Sequence, residues 1–466
     1  MNLTIIVLAA GAGTRMKSPL PKVLHPLAGR PMVAHVLDVA RALEPARLVV
    51  VTGYGGDQVR QALGEGPVYA TQEQRLGTGD AVRQAAGGAA GRAGTVLVVY
   101  GDTPLIQPET LRRMIEHHEG AGAAVTILTF RPENPAGYGR IVRQAGTGRV
   151  LAIVEDAAAT AEERAIGEVN SGILCFRDGW LWPNLAALEP SAAGEFYLTD
   201  LVAGAVRQGE TVAALEVADP LEVMGVDHRA KLARAEAEMR RRINEGWMLA
   251  GVTLIHPEAT YIEAGVEIGP DTVIWPNTLL QGRTRIGEGC TIGPGSVIRN
   301  SEIGNGCRVE LSVVEDAAME DGSDVGPFGH LRKGGRLGRG AHMGNFGELK
   351  NATLGPGAKM GHVSYLGDAT VGAGANIGAG TITCNYDGAR KHRTEIGAGA
   401  FIGSDTMLVA PVTIGEGAIT GAGSVVTHDV PPGGLVYGVP ARPPQPPQAP
   451  TGESAESRSA AEWEVK

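Results

Sequence analysis

The stretch IGEGCTIGPGSVI, residues 286–298, carries an isoleucine at every sixth position. The same period continues across residues 268–425 in five runs of aliphatic side chains. The runs are Ile268, Ile274, Leu280, Ile286, Ile292 and Ile298; Val325, Leu331, Leu337, Met343 and Leu349; Leu354, Met360 and Leu366; Val371 and Ile377; and Ile396, Ile402, Leu408 and Ile414. A period of six fits neither a strand nor a helix. Hexapeptide repeats are typical of the stacked coils of a β-helix.

Three faces of six residues predict a triangular coil of about 18 residues, with one side chain buried on each face. Glycine often follows the buried residue, as in Ile268-Gly269, and we expect it there because it permits backbone conformations that a Cβ disfavours. A flexible glycine-rich tract is the alternative, but such tracts have no aliphatic register. The pattern breaks between Ile377 and Ile396, so residues 383–395 should loop outward.

Length and composition exclude several classes of protein. A chain of 466 residues should form two or three domains. Its net charge of −10 argues against nucleic acid as a partner. No apolar stretch approaches the length of a membrane span, and residues 3–12 lack the basic segment of a signal peptide. The four cysteines have no CxxC spacing, which predicts free thiols in a reducing cytoplasm.

The N-terminal half alternates buried strands with helices, which predicts a parallel, doubly wound α/β sheet. The predicted strands are 3–10, 47–52 and 95–100, and the predicted helices are 31–43 and about 57–63. Ligands bind such sheets beyond the carboxyl ends of the strands.

Two features lie at those strand ends. The glycine-rich loop 11–15 is neither GxGxxG nor a Walker A motif, which disfavours a dinucleotide site. Its backbone N–H groups, with Arg15 and Lys22, could hold phosphate, or the loop could be only a tight turn. Asp102 follows an apolar strand and could hold Mg²⁺ or merely cap a helix.

Composition also suggests the domain boundaries. We expect a first domain at 1–227, an exposed connecting helix at 228–250 and the solenoid at 251–442. From residue 443 the chain is rich in Pro, Ser and Glu, which predicts a disordered tail at 443–466.

Motifs in both halves carry a resemblance to a known family. They are, in chain order, 8–16, Pro21-Lys22, Gln72, 76–79, 100–102, 137–140, Glu155, 170–172, 361–368, 376–388 and 401–405. Together they resemble the bacterial bifunctional enzymes that are both N-acetylglucosamine-1-phosphate uridylyltransferase and glucosamine-1-phosphate acetyltransferase. The resemblance covers about residues 3–430.

The resemblance implies a left-handed, trimeric β-helix that transfers acetyl from acetyl-CoA to glucosamine-1-phosphate. The N-terminal half would then join the product to UTP with Mg²⁺, releasing pyrophosphate and UDP-N-acetylglucosamine. This product serves peptidoglycan and, where present, lipopolysaccharide synthesis. The implied partners are small molecules and two further copies of the chain.

The resemblance also implies the residues of the uridylyltransferase site. Arg15 and Lys22 would act in catalysis, and Asp102 and Asp227 would bind the metal. The family usually has Asn where this chain has Asp227, and the extra negative charge should shift metal affinity. The residues that would bind the nucleotide and sugar are Leu8, Ala9, Ala10, Gly11, Lys22, Gln72, Gly77, Thr78, Tyr100, Gly101, Asp102, Gly139, Glu155, Asn170 and Asp227.

In the solenoid, the hexad register itself predicts one cationic column. Arg332 and Lys350 each follow an inward leucine on the same face, one coil apart, and Tyr365 lies near them. Two cations and a tyrosine could hold a sugar phosphate. By resemblance, Asn376 and Lys391 complete the glucosamine-1-phosphate site, and the acetyl-CoA residues are Asn385, Tyr386, Ser404, Ala422 and Arg442.

Acetyl transfer needs a base to take a proton from the amine. The family motif singles out His362, while His330, His342 and His392 are competitors that the residues alone leave open. Two places depart from the family pattern, Lys333-Gly334 and the end at 437–442. Cys384 could be a reactive or an inert thiol.

Three alternatives to the bifunctional interpretation remain at this point. The β-helix could only assemble or regulate a monofunctional nucleotidyltransferase. The solenoid could be a scaffold without activity. The same two reactions could act on a related hexosamine or nucleotide, and the choice between UTP and TTP stays open.

Overall fold

The computed structural model describes residues 2–91, 94–191 and 194–443. The chain forms two compact units, one of Met1–Gly246 with Ile262–Ala264 and one of Trp247–Tyr261 with Gly265–Lys466. The tail predicted to be disordered lies, apart from Pro443, outside the described residues. Within the described ranges no helix is both long and apolar enough to cross a membrane. The four cysteines are free thiols, as predicted.

The first unit is built on a sheet of nine strands. They are β1 (Leu3–Ala9), β2 (Arg47–Thr52), β3 (Val68–Thr71), β4 (Thr95–Tyr100), β5 (Val125–Phe130), β6 (Arg140–Arg143), β7 (Val150–Val154), β8 (Val169–Arg177) and β9 (Val212–Glu216). The main path runs β9-β5-β8-β4-β1-β2-β3, and β6 and β7 extend from β8 as an antiparallel ribbon. A small separate ladder joins Pro26–Leu27 to Arg30–Pro31.

Helices cover this sheet because both of its faces are apolar. Buried aliphatic side chains form one large cluster on each face. The α-helices of the unit are Met32–Arg41, Gly56–Leu63, Thr78–Gln84, Ala86–Ala89, Pro108–Gly120, Ala161–Arg164, Asp178–Ala186 and Asp200–Arg207. Short 3₁₀ helices span Thr14–Met16, Lys22–Leu24 and Pro220–Val223.

The doubly wound arrangement is confirmed, but the sheet is mixed rather than parallel throughout. Strand β1 is parallel to β2 and β4, whereas β8 is antiparallel to β4 and β5. The reason is the connection between β5 and β8. Residues 131–168 contain the ribbon of β6 and β7 and no long crossover helix, and a parallel neighbour needs such a crossover.

The helix predicted at 228–250 is present as Arg229–Leu249. As far as Gly246 it belongs to the first compact unit. Leu232 and Met239 pack against a small buried cluster that includes Ala235 of the same helix. One face of the helix is therefore covered, whereas the charged sequence suggested a fully exposed helix.

The second unit is a parallel β-helix with three faces. On the first face lie Thr253–Leu254, Val273–Ile274, Thr291–Ile292, Arg308–Val309, Asp324–Val325, Asn376–Ile377, Phe401–Ile402, Ile419–Thr420 and Leu435–Val436. On the second lie Leu279–Gln281, Val297–Arg299, Val313–Glu315, His330–Leu331, Ile382–Cys384, Met407–Val409 and Val425–Val426. On the third lie Glu267–Ile268, Arg285–Ile286, Glu302–Ile303, Ala318–Met319, Arg336–Leu337, Thr353–Leu354, Ala369–Val371, Thr394–Ile396 and Val412–Ile414.

Two nine-residue strands, His342–Lys350 and Lys359–Gly367, bend across both the first and the second face. Before the regular coils, a 3₁₀ helix spans Pro257–Ala259 and a two-residue strand spans Tyr261–Ile262.

The six-residue period is confirmed as the inward register. Val273 pairs with Thr291, 18 residues later, and Glu267 pairs in the same way with Arg285. Every aliphatic residue of the five predicted runs is buried. The predicted outward loop is also present, but it is shorter than the predicted range 383–395. Thr383 and Thr394 are buried in the two strands that flank it.

The glycine after the inward residue has a different reason from the one predicted. Gly372 has no left-handed backbone, but a Cβ there would collide with the backbone nitrogen of Ala398 on the next coil. Gly374, two residues later, is the left-handed position, with φ of +66° and open space around it. Close stacking of coils thus selects the first glycine, and backbone conformation selects the second.

Candidate functional site

A cavity of about 260 Å³ lies at the carboxyl ends of β1 and β4 in the first unit. Ten of the predicted nucleotide residues line it, namely Leu8, Ala9, Ala10, Gly11, Lys22, Gln72, Gly77, Thr78, Tyr100 and Asp102. Gly101 lies directly behind, where its N–H donates to the carbonyl of Leu8 at 2.9 Å. Neighbouring parallel strands end at one sheet edge, which is why residues so distant in sequence meet here.

The side chain of Gln72 is buried and held in one orientation. Its Nε2 donates to the carbonyl of Gly77 at 3.0 Å and to Oδ2 of Asp80 at 2.8 Å. A carboxamide fixed in this way can distinguish donor and acceptor positions on a flat heterocyclic base. Asp80 is a positioning residue that the sequence analysis missed, since it belongs to no motif.

Four further residues line the cavity without having been predicted, the apolar Val23 and Ala81 and the charged Arg75 and Glu195. The segment around Phe196 brings Glu195 there. Gly79 N–H donates to the carbonyl of Phe196 at 2.8 Å, and a Cβ on Gly77 would lie 2.5 Å from that same oxygen. The glycines of the motif at 76–79 therefore make room for a chain segment that is remote in sequence.

Charged groups of alternating sign lie at and beside the cavity. Lys22 Nζ forms an ion pair with Asp102. Arg15 lies 2.9 Å from Oδ2 of Asp227, and the N–H of Val226 donates to the carbonyl of Asp102 at 2.8 Å. The two predicted metal carboxylates are thus neighbours, each already paired with a cation.

The predicted sugar residues form a second group beside Tyr100. Asn170 N–H donates to the carbonyl of Gly139 at 2.8 Å, and a Cβ on Gly139 would lie 3.5 Å from the carboxylate of Glu155. Thr199 donates to Oε1 of Glu155 at 3.1 Å. Burial raises the pKa of Glu155 despite this hydrogen bond.

Tyr100 lines the cavity and lies near Glu155 of the predicted sugar residues. Burial, together with the negative charges of Asp102 and Glu155, raises the pKa of its phenol, so it stays neutral. A Cβ on Gly172 would lie 2.8 Å from the Tyr100 ring, which explains why a glycine stands there.

In the second unit the predicted cationic column is present. Leu331 pairs with Leu349, and Leu349 with Leu366, so Arg332 and Lys350 stack on successive coils. Contact with Lys391, and then the charge of Arg332, lowers the pKa of Lys350. Arg332 also pairs with an acid, Glu348, at 2.7 Å. Three cations in one place favour the binding of a phosphate.

Polar groups surround this column. A Cβ on Gly367 would collide with the Tyr365 hydroxyl and lie 2.7 Å from Nδ2 of Asn385. Asn385 donates to Asp368 at 2.6 Å. Desolvation raises the pKa of Asp368, but hydrogen bonds from Asn351 and Asn385 outweigh it and hold the pKa below its usual value.

His362 is exposed and pairs in register with Asn345 on the previous coil. Its Nδ1 lies 3.0 Å from Oδ1 of Asn345. In this tautomer the Nδ1 proton is donated to the amide oxygen and Nε2 carries the lone pair of a base. Asn345 was missed because only the strand register places it beside the histidine.

The three competing histidines are each paired with a carboxylate. His330 lies 3.2 Å from Glu315, His342 2.9 Å from Asp324 and His392 2.6 Å from Asp387. Among these four histidines of the solenoid, His362 is the one that an amide orients.

The predicted acetyltransferase residues occupy different positions along the coils of one chain. His362 lies near the bend of the strand Lys359–Gly367, and Lys350 pairs with Gly367 at its end. Five residues of strand separate these positions by up to about 16 Å. Asn376 lies on the first face, in register with Lys359 and Phe401.

The predicted acetyl-CoA residues lie toward the C-terminal coils. Ser404 and Ala422 stack, since Gly423 N–H donates to the carbonyl of Ser404 at 2.8 Å. Tyr386 is exposed on the outward loop, where its backbone forms an isolated antiparallel β-bridge with Lys391. The backbone of Arg442 forms an isolated antiparallel β-bridge with Tyr437.

Comparison with known proteins adds independent information. Residues 5–241 match the family described as the MobA-like NTP transferase domain. Residues 265–300 and 393–428 match the bacterial transferase hexapeptide with six repeats. The bifunctional protein GlmU of Pelobacter propionicus is 50% identical over 438 residues, covering 93% of this chain and 95% of the relative. The chain belongs to the GlmU family.

Other GlmU relatives agree over nearly the full length. The protein of Enterococcus faecalis is 48% identical over 414 residues, covering 89% of this chain and 90% of its own. A solved structure of CMP:2-keto-3-deoxy-manno-octonic acid synthetase complexed with CTP is 22% identical and covers 52% of this chain and 100% of its own, with a TM-score of 0.41.

Membership of the GlmU family confirms several predictions at once. The chain is a bifunctional transferase of UDP-N-acetylglucosamine synthesis, with a nucleotidyltransferase half and a left-handed β-helix acetyltransferase half. Nucleotide and acetyl-CoA are its co-substrates. The monofunctional and scaffold alternatives are thereby excluded.

Proposed function

We propose that the cavity at β1 and β4 is the uridylyltransferase site and that the predicted residues act there in the roles that the resemblance implies. The sugar phosphate oxygen attacks the α-phosphorus of UTP, and the bond to pyrophosphate breaks. Backbone amides of the loop at residues 11–13, Arg15 and Lys22 would hold and neutralise the triphosphate. Gln72 would read the uracil, and Glu155 and Asn170 would hold the sugar. Such catalysis rests on positioning and charge neutralisation.

Asp102 and Asp227 are suited to hold Mg²⁺. Oδ1 of Asp227 is buried and has no hydrogen-bond partner among the described residues. Mg²⁺ is usually held by one or two carboxylates together with substrate phosphates. This fits the described residues, where no cluster of three or more His, Cys, Asp or Glu could hold a metal alone. When bound, Mg²⁺ would neutralise charge on the phosphates.

In the β-helix, His362 is proposed as the base. Nε2 accepts a proton from the glucosamine-1-phosphate amine as the nitrogen attacks the thioester carbonyl of acetyl-CoA. A C–N bond forms, the C–S bond breaks, and the proton passes to the CoA thiolate. Arg332, Lys350 and Lys391 would hold the sugar phosphate with Tyr365 and Asn376. Asn385, Tyr386, Ser404, Ala422 and Arg442 would contact acetyl-CoA.

The observation that supports a shared active site is the strand register, which places His362 five positions before Gly367, the residue paired with Lys350 of the cationic column. A second copy in a homotrimer would bring its cations to the histidine of the first. Mixed trimers test this, since His362→Ala and Lys350→Ala should each abolish most acetyl transfer. Subunits exchanged between the two variants should regain activity. Mixtures that stay inactive despite exchange would contradict a shared site.

We also propose that the protein acts in the cytoplasm. Its four cysteines are free thiols, and unpaired thiols are typical of a reducing compartment. Fractionation of cells that express the protein, with both transferase activities followed in each fraction, tests this location. Activity that is confined to a membrane or secreted fraction would contradict it.

A further inference from the structure

Asp227 has more than one cation beside it. Arg15 lies 2.9 Å and Lys231 Nζ lies 3.2 Å from its Oδ2. His228 Nε2 lies 3.7 Å from Oδ1, beyond hydrogen-bond range, and Oδ1 is buried without a hydrogen-bond partner among the described residues. Two cations therefore share Oδ2, while Oδ1, although buried, accepts no hydrogen bond from the described residues.

The two cations on Oδ2 differ in how firmly they are held. The Arg15 side chain is 71% exposed, whereas that of Lys231 is 28% exposed. Lys231 follows Asp227 by four residues and lies in the first turn of the helix Arg229–Leu249. Its Nζ also lies 5.7 Å from the centre of the Tyr138 ring. Arg15 can therefore leave for a phosphate, while Lys231 stays with Asp227.

We propose that Lys231 is a positioning residue that weakens divalent-cation binding to the nucleotide-free enzyme by competing for Oδ2 of Asp227. This rests on the proposed function, in which Asp227 is a metal ligand. With Lys231 in place, the two carboxylates do not attract a free cation strongly. The phosphates of the nucleotide supply the missing negative charge, so the metal enters together with UTP.

The test measures Mn²⁺ binding to the full-length protein by electron paramagnetic resonance, with and without UTP. Lys231→Met should tighten binding to the nucleotide-free protein by about three- to ten-fold, from one charge acting on a divalent cation through a largely aqueous dielectric. Lys231→Arg keeps the charge and should bind Mn²⁺ like wild type. Lys333→Met removes an exposed lysine from the other unit and should change nothing.

A double variant separates competition for Asp227 from general repulsion. In an Asp227→Asn background, Lys231→Met should alter Mn²⁺ binding by less than about two-fold, because the carboxylate for which the lysine competes is gone. An equal effect in both backgrounds would overturn the proposal, as would no effect of Lys231→Met in the wild-type background. If wild type fails to bind Mn²⁺ even with UTP, the metal site itself fails and the proposal falls with it. Normal Mn²⁺ binding with UTP but no effect of Lys231→Met refutes this inference alone.

Discussion

The imidazole of His362 is oriented by a neutral side chain on the neighbouring coil. Oδ1 of Asn345 accepts a hydrogen bond from Nδ1 at 3.0 Å, which leaves Nε2 to act on the substrate amine in the proposed reaction. A base on an exposed surface needs such a partner, because a freely rotating ring samples many unproductive orientations. The role proposed for His362 therefore depends on a residue that lies outside the family motif used to find it.

Asn345→Ala should slow acetyl transfer without affecting uridylyl transfer. Loss of one hydrogen bond worth about 0.5–1.5 kcal/mol predicts a decrease in kcat of roughly two- to ten-fold. Thiol release from acetyl-CoA measures it, and UDP-N-acetylglucosamine formation by the same preparation is the control. Asn345→Asp keeps an acceptor oxygen and should retain more activity. An unchanged kcat in Asn345→Ala would show that the hydrogen bond does not matter.

Burial of the Glu155 carboxyl should reduce stability at neutral pH. Burial raises its pKa above the value in the unfolded chain. Stability linked to Glu155 is then fully present below the unfolded pKa and is lost as the pH rises through the folded pKa. The proposed sugar site keeps a carboxylate there, and the buried negative charge makes the protein less stable at neutral pH.

Glu155→Gln should therefore raise the unfolding midpoint of the N-terminal unit at pH 7 and have little effect near pH 4. Gln preserves the oxygen that accepts from Thr199, so the comparison isolates the charge. Calorimetry at the two pH values measures the difference. A midpoint that falls at pH 7, or a gain that is equal at both pH values, would contradict the pKa direction.

At the scale of elements, the two glycine positions of a hexapeptide turn have separable roles. Gly372 lies against the next coil, where a side-chain Cβ would collide with the backbone nitrogen of Ala398. Gly374 has φ of +66° and open surroundings. Backbone atoms of a stacked coil cannot move aside, whereas a left-handed alanine costs about 1–2 kcal/mol.

Gly372→Ala should consequently destabilise the β-helix much more than Gly374→Ala. We expect Gly372→Ala to lower the free energy of unfolding by about 3 kcal/mol or more, because the added Cβ overpacks the contact between coils and forces them apart. Gly374→Ala should lower it by about 1–2 kcal/mol. Denaturant unfolding of both variants measures the contrast. Equal losses would mean that coil stacking does not select the first glycine.

The elements differ in how far the sequence could predict them. The β-helix register was predictable because one residue in six must be buried on every face. The antiparallel β8 was not, because its pairing depends on the ribbon of β6 and β7 rather than on the strand's own pattern. Glu195 and Asp80 could not be predicted as site residues for a related reason. Chain segments that pack through glycines 77 and 79 leave no periodic signal.

At the scale of the whole molecule, the two proposed sites lie in separate compact units. The proposed uridylyltransferase residues all precede residue 246, and the proposed acetyltransferase residues all follow residue 265. No proposed residue serves both reactions. A change at either site should leave the other reaction intact, provided that the chain still folds and assembles.

The measurement that tests this assignment most directly is a paired assay of His362→Ala and Lys22→Ala. Each purified variant is assayed for thiol release with glucosamine-1-phosphate and for pyrophosphate release with N-acetylglucosamine-1-phosphate and UTP. We expect His362→Ala to lose thiol release by at least about a hundred-fold and to keep pyrophosphate release, and Lys22→Ala to show the reverse. Thiol release that survives in His362→Ala would contradict the role of His362 as the base, and loss of both activities in either folded variant would contradict two independent sites.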